Sequence, residues 1–425
     1  MLGKRIFQFM CVLGAMAFLL GSCNRSGSGT NGGDGPIKLV VWDDKSSKEE
    51  ARVIKAIIEK WNAENPDVIV EREAVDIESY KMKLKTVIAA DEAPDVFYSY
   101  GAGFSKPFVE AGKILELGKY LSSDIKDSAM PETWNYVTYN GKTYGLPIYM
   151  WCGVLYCNQE LFDKYGIKIP ETYEEFIDAV KSFRANGMGA VGVGASEKWT
   201  GMFYHNILAL RTAGADLCNK ALSGEAGFDT PEFMDAAVKL DELVKLKAFN
   251  DGYSGLNYDD FTLQFKEGLI PMIYQGNWLA GDLEADDCPV KGKIVVKNFP
   301  SIAGGKGSDT EFLGGAIDVY MVSNSTKHKE AAVKLLEYIC KNYSREGYAT
   351  GLGLPVYKDP DLTTKVDRLT KDITDLVGSA TGFVLSWDTF LEGEAADTHN
   401  DLVQELIIGT KTPAQFTEGM SEINQ

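Results

Sequence analysis

Between Ile37 and Tyr100 the chain alternates apolar runs with amphipathic stretches, and that order restricts the fold more than any other feature. Ile37–Trp42 (IKLVVW) is nearly continuous in apolar residues, as in a strand covered on both faces of a parallel sheet. Ser47 and Glu50 take the spacing of a capping box and open a helix with Ala51, Ile54, Ile57, Ile58 and Trp61 on one face. Asn65-Pro66 ends it. Val68–Val70 reads as a second strand and Ile77–Ala90 as a second helix, stopped at Ala93-Pro94. Asp95–Tyr98 reads as a third strand running into Ser99-Tyr100-Gly101. The order β-α-β-α-β predicts an open, mainly parallel sheet wrapped by helices.

Tyr139–Phe162 (YNGKTYGLPIYMWCGVLYCNQELF) crowds Tyr144, Tyr149, Trp151 and Tyr156 around Pro147 and Gly153, residues that interrupt a ladder or permit a close backbone approach. We expect the chain to cross here from one lobe to another, with Tyr149 and Trp151 presented to a cleft and Tyr144 and Tyr156 in packing. A buried hairpin with core aromatics is the alternative. Helical patterns follow over 160–165, 172–185, 199–211, 230–247 and 259–266, with short strands at 190–193, 270–274 and 293–296. Gly314–Met321 is expected as one strand entered on two glycines, followed by helices at 328–341, 362–377, 398–408 and 413–424.

A chain of 425 residues suffices for two or three domains. Its 43 basic and 61 acidic side chains give a net charge of −18, which repels phosphate backbones and argues against a nucleic-acid partner. Lys4, Arg5 and the apolar run Ile6–Leu20 have the form of an export signal, too short to span a membrane comfortably. Leu20-Gly21-Ser22-Cys23 resembles the bacterial lipobox, which implies cleavage before Cys23 and a lipid on its thiol. Asn24–Gly35 has the composition of a flexible tether. Five further cysteines, Cys152, Cys157, Cys218, Cys288 and Cys340, show no disulfide framework.

The usual catalytic signatures are missing. His205, His328 and His399 lack metal-ligand spacing, and no G-x-S-x-G elbow occurs. Gly141-Lys142-Thr143 has Tyr136 where a P-loop needs glycine, and Gly101-x-Gly103 and Gly192-x-Gly194 lack the third glycine of a dinucleotide fingerprint. We expect no metal and no cofactor, while paired carboxylates for glycoside hydrolysis stay open with 61 acidic side chains, although no pair is singled out. What remains is a set of aromatic residues at strand ends and in loops: Trp42, Tyr100, Tyr149, Trp151, Trp278 and Trp387. Asp43, Asp44, Asn277 and Asp388 stand beside three of them. Sugar rings stack their C–H faces on indole and phenol rings, and their hydroxyls take carboxylates and amides as partners.

The lipobox, the VVWDD strand, Ala93-Pro94-Asp95-Val96, YGLP…LYCNQELF, Gly276-Asn277-Trp278 and Gly314-Gly315 occur in one order that resembles the extracellular solute-binding proteins of family 1, the maltose-binding type serving ABC importers. The resemblance implies a two-lobed α/β fold of the periplasmic-binding-protein type II, each lobe a mainly parallel sheet flanked by helices and built of discontinuous segments joined by a hinge. They would be 1–22 as signal, 23–36 as tether, 37–146 with 301–345 as the N-terminal lobe, and 147–300 with 346–425 as the C-terminal lobe. Hinge crossings are expected near Gly145–Tyr149, Val296–Ser301 and Asn342–Gly347. Carried onto matching positions, the ligand residues would be Trp42, Asp43, Asp44, Tyr100, Tyr149, Trp151, Trp199, Asn277, Trp278 and Trp387, with Cys23 as lipid anchor. The implied protein is a monomer outside the cytoplasm that binds a carbohydrate, partners an ABC permease and touches the membrane only through its lipid. A non-sugar solute such as glycerol phosphate or a polyamine, a surface glycosidase or lyase, and an adhesion or signalling lipoprotein remain alternatives.

Overall fold

The structure, a computed structural model, describes residues 35–360, 362 and 365–423. The expected signal and nearly all of the tether, Cys23 included, lie outside the described residues. In chain order the strands are β1 (Ile37–Asp43), β2 (Val68–Ala74), β3 (Val96–Tyr100), the small hairpin β4 (Thr138–Tyr139) and β5 (Lys142–Thr143), β6 (Gly145–Pro147) and β7 (Trp151–Asn158). Then follow β8 (Val191–Gly192), β9 (Met272–Gly276), β10 (Ile294–Lys297), β11 (Glu311–Gly315), β12 (Asp318–Val322) and β13 (Gly382–Val384).

Two sheets carry the two lobes. The first has the order β2-β1-β3-β12-β6, with β1 parallel to both β2 and β3 as the opening alternation predicts. Leu39, Val41, Phe97 and Tyr98 are wholly buried in it. The helix Lys48–Glu64 buries Val53, Ile54, Ile57, Ile58 and Trp61 against this sheet's layer. The expected capping box does not form, because the Ser47 hydroxyl donates to the Glu50 carboxylate at 2.8 Å and caps no backbone N–H.

The second sheet has the order β13-β11-β7-β9-β8, with β10 beside β7. It is not the mainly parallel sheet expected, since the central β7 enters from the other lobe and runs antiparallel to β9, β10 and β11, leaving only β11–β13 and β8–β9 parallel. The long helix Lys198–Leu222 lies almost entirely inside this lobe, and Gly214, at φ 78°, kinks it.

The chain changes sheets between β6 and β7, and again between β11 and β12. Gly314–Met321 is therefore two strands in two sheets, with Ala316 and Ile317 as the step between them. The expected crossing at Val296–Ser301 is not there. Phe299 is buried in the second lobe with its carbonyl accepting from Arg211 Nε at 3.0 Å, so the residues around Pro300 turn without leaving the lobe, and 301–315 stays with the second sheet. Nor does the chain cross at Asn342–Gly347, which lies within the unbroken helix Lys329–Ala349. The third passage follows that helix, where Leu354 and Met150 exchange backbone hydrogen bonds of 2.9 Å. The passages lie side by side, with Ile148 N–H donating to the Asp318 carbonyl at 2.9 Å.

Gly314 makes this junction possible. Its φ is +146°, and a Cβ there would sit 2.1 Å from the Trp151 carbonyl oxygen. Gly314→Ala should cost ~1–3 kcal/mol in urea unfolding, the range for strained backbone positions. A variant as stable as the parent would mean that β7 and β11 can part without penalty.

Candidate functional site

The first wall grows from the C-terminal end of β1, where open α/β sheets present their ligand sites. Asp43 is fully buried there. Its carboxylate accepts from Arg72 Nε at 2.6 Å and from the Lys45 backbone N–H at 3.0 Å. Burial pushes this carboxyl above the usual range despite the pull of Arg72. The guanidinium also donates to the Lys45 carbonyl at 2.7 Å, so Asp43 and Arg72 fix the turn that follows. That turn brings Asp44 and Lys45 into a shared cluster. Lys45 Nζ lies 3.3 Å from Glu50, 3.4 Å from Asp44 and 4.1 Å from the centre of the Tyr98 ring, and it donates to the Tyr149 hydroxyl at 3.3 Å. Burial works against its charge, but Asp44, Tyr149, Glu50 and Asp318 outweigh that and hold the ammonium well above its ordinary value. The Tyr100 hydroxyl donates to Asp44 Oδ2 at 2.8 Å, and the Tyr98 hydroxyl donates to Asp318.

The second wall is aromatic. Trp151, the first residue of β7, stacks on Phe203 with centroids 5.3 Å apart and planes 12° apart. Trp199 meets Phe203 edge to face at 5.3 Å, and Trp278 lies 5.5 Å from Trp151. Gly276 lets the Trp278 ring fold back, since a Cβ at 276 would come within 2.1 Å of it. Asn277 pins the same turn, its side-chain oxygen accepting from the Cys152 N–H at 3.1 Å. The Trp278 Nε1–H donates to the Tyr258 hydroxyl at 3.0 Å.

Between these walls lies a cavity of about 150 Å³, lined by residues of both lobes. Of the sequence-derived ligand residues it collects Asp44, Tyr100, Tyr149, Trp151, Trp199 and Trp278. Four others lie outside its lining. Trp42 is half-buried with Lys83 Nζ 3.8 Å above its ring, on the side of β1 that packs against the helix Ile77–Ala89. Asp43 is consumed by Arg72, and Asn277 by the backbone of β7. Trp387 is wholly buried among His205, His399, Phe228 and Phe233. Its neighbours Ser386, Asp388 and Thr389 line the cavity in its place, because successive residues of the short helix Trp387–Phe390 face different ways. Tyr156 is buried with its hydroxyl on the Gly276 carbonyl, in packing as expected.

Sequence reasoning missed Tyr98, Glu50, Phe203, Tyr258 and Asp318. Two had a signal. Tyr98 is two residues before Tyr100 on one strand, and Asp318 is a lone charge in an apolar run. Three polar atoms of lining residues are buried without a hydrogen-bond partner: Asp44 Oδ1, Asp388 Oδ1 and Trp199 Nε1. Asp44 Oδ1 is within ion-pair distance of Lys45 but lacks hydrogen-bond geometry. Burial raises the Asp388 carboxyl above its ordinary value, against the Lys81 ammonium 3.8 Å away. Among the described residues no cluster of His, Cys, Asp or Glu is placed to hold a metal ion, and no helix is long and apolar enough to cross a membrane.

Known proteins share this architecture and sequence. The chain is 26% identical over 357 residues to the multiple sugar-binding protein of Streptococcus mutans, covering 81% of this chain and 80% of that one. A solved structure described under xylan utilisation by the thermophilic bacterium Caldanaerobius polysaccharolyticus superposes with a TM-score of 0.88 at 41% identity, covering 91% of this chain and 99% of the other. A chitin oligosaccharide binding protein superposes with a TM-score of 0.83 at 25% identity, over 92% of this chain and 98% of the other. The model of the family described as bacterial extracellular solute-binding protein matches residues 45–342. With two lobes, a cavity lined from both and a family match over most of its length, the chain belongs to the bacterial extracellular solute-binding proteins.

Proposed function

We propose that the protein captures a sugar or oligosaccharide between its lobes, a xylan-derived saccharide first, and delivers it to an ABC importer permease. In this reading it is exported, held at the outer face of the cell membrane by a lipid on Cys23, and performs no catalysis. The observation that carries the reading is the pairing of aromatic walls with unpartnered polar atoms from both lobes, Asp44 Oδ1 on one side and Asp388 Oδ1 and Trp199 Nε1 on the other. Aromatic faces suit the C–H surface of a sugar ring, and buried acceptors without donors suit its hydroxyls. The ligand residues proposed are Asp44, Tyr100, Tyr149, Trp151, Trp199, Trp278 and Asp388. The identity to the xylan-utilisation protein, higher than to the other relatives named above, supports the choice of saccharide.

Closure follows from the same geometry. The side-by-side passages at 148–150, 316–317 and 354 act as the hinge, and ligand contacts on both lobes favour the closed state by their differential affinity. Exposed ion pairs such as Lys48–Asp287, at 2.6 Å, add little to that preference. A phosphate-bearing ligand is disfavoured, since Arg211 is spent on the carbonyls of Phe299, Ser308 and Glu311. The many carboxyls of the lining favour a polyamine as second reading.

A thermal-shift screen with xylobiose, xylotriose, maltotriose, chitobiose and spermidine tests both. A ligand present at about 100 times its Kd should stabilise the folded state by ~2.7 kcal/mol. A shift with xylo-oligosaccharides supports the reading, a shift with spermidine alone replaces it, and no shift with any saccharide overturns it. Incubation with the same glycans should release no product.

A further inference from the structure

We infer that the cavity accepts an uncharged saccharide and rejects its uronic-acid counterpart, with Asp44 and Asp388 as the residues that set this selectivity; the inference rests on the carbohydrate reading above. The lining carries seven carboxyl side chains against two lysines, and no arginine or histidine. Neither lysine is free for a ligand anion. Lys45 is 5% exposed and lies within 3.4 Å of both Asp44 and Glu50. Lys81 is paired with Glu78 at 3.6 Å and Asp388 at 3.8 Å.

The unpartnered groups point the same way. Asp388 Oδ1, on the second lobe, is an acceptor without a donor, and Asp44 Oδ1, on the first, has the Lys45 ammonium at 3.4 Å but no hydrogen bond. A sugar hydroxyl supplies the hydrogen they need, whereas a ligand carboxylate has none to give and brings a like charge into a confined, poorly hydrated space. Trp199 Nε1 is a neutral donor, and one N–H does not offset several carboxylates. The helix end beside Ser46 and Ser47 would favour an anion by its dipole, but its first turn already holds Glu49 and Glu50. The net charge of −18 adds a long-range repulsion to the encounter.

The test compares ligands that differ in one group. Xylotriose, cellotriose and cellotriose oxidised to the carboxylate at each C6 are titrated against the full mature chain at pH 7.5, with the cavity tryptophans as fluorescent reporters. The oxidised trisaccharide should bind about 100-fold more weakly than cellotriose, the size of penalty expected for like charges brought together at an interface. A difference under tenfold overturns the inference. So does rejection of cellotriose while xylotriose binds, because size and not charge would then set the limit. If none of the three binds, the inference and the choice of a xylan-derived saccharide both fall, while a thermal shift with maltotriose or chitobiose would still uphold the carbohydrate reading. Asp388→Asn and Asp44→Asn keep an acceptor oxygen while removing the charge. Each folded variant, verified by its melting curve, should narrow the ratio of the two affinities at least threefold. A ratio unchanged in both would remove these two carboxylates as its source.

Discussion

Trp278→Ala is expected to weaken saccharide binding by more than 100-fold and to cost the apo protein only ~1–2 kcal/mol of stability. Trp278 is half-buried, so one part of its indole packs on Trp151, Trp199 and Phe203 while another lines the cavity. Removing it takes an aromatic face from the ligand and opens the second wall to water, the kind of truncation that costs 2–4 kcal/mol or more at a central anchor. Its hydrogen bond to the Tyr258 hydroxyl is lost as well, leaving that phenol to re-pair with solvent admitted by the change. Two other tryptophans serve as controls with different expected results. Trp42→Ala, outside the cavity, should leave affinity within twofold of the parent, since that ring meets Lys83 and not the ligand space. Trp387→Ala should cost ~3–5 kcal/mol of folding stability, as deletions of buried aromatic residues do. Calorimetric titration with xylotriose and urea unfolding read both quantities, and retained affinity in Trp278→Ala would remove the aromatic wall from the binding site.

Those three tryptophans also show where the sequence is legible and where it is not. The alternation of runs in residues 37–100 predicts β1 to β3 and their helices because each element's burial is written in its own period. The strand end that carries Asp43 and Asp44 is equally visible. What the pattern does not contain is the direction in which a side chain leaves a turn. Asp43 and Asp44 are adjacent and chemically alike, yet one is consumed by Arg72, which lies 29 residues away, and only the other reaches the cavity. Likewise Trp387, which the resemblance assigns to the ligand, is wholly buried, and Asp388 beside it, a candidate partner for sugar hydroxyls, is the one that lines the cavity. Two of the three expected crossings failed for a related reason, while the one near Gly145–Tyr149 lies where the chain does change sheets. Phe299-Pro300 carries a local signal for a break, but whether a break leaves a lobe depends on partners distant in sequence, here Arg211. Gly314-Gly315 reads as the entrance to one strand, and only the pairing of Gly315 with Trp151 and of Asp318 with Tyr100 reveals two.

The second large effect concerns acid. Stability should fall by ~4 kcal/mol between pH 7.5 and pH 5 through one pair of buried histidines, at up to about 1.4 kcal/mol per histidine per pH unit. His205, on the helix Lys198–Leu222, is 1% exposed, and His399, on the helix Glu394–Ile407, is wholly buried. The rings share one contact, His399 Nε2 to His205 Nδ1 at 3.4 Å; the Asn206 amide nitrogen lies 3.4 Å from the same Nδ1, and Trp387 and Phe416 pack against the rings. Neither has a carboxylate partner among the described contacts, so burial pushes His205 down to about 3, and burial with the neighbouring ring pushes His399 well below its usual value. The folded state therefore keeps both neutral while the unfolded chain takes up protons below about pH 6.5. The stability they permit is complete above pH 6.5 and is lost as pH falls toward 3. Asp43, Glu50, Asp318 and Asp388 act with the opposite sign, because burial raises their carboxyls and the folded state holds protons more tightly than the unfolded chain. Their window runs upward from the ordinary carboxylate range, near pH 4, to each raised folded-state value, so it overlaps the histidine window and offsets part of the loss in the parent. The double variant His205→Gln/His399→Gln removes one contribution and leaves the other. It should start below the parent at pH 7.5, since it disturbs the packing around Trp387, and the gap in urea-unfolding free energy should shrink by ~4 kcal/mol at pH 5. A gap of the same size at both pH values would mean that the histidines find a proton acceptor in the folded state and carry charge there.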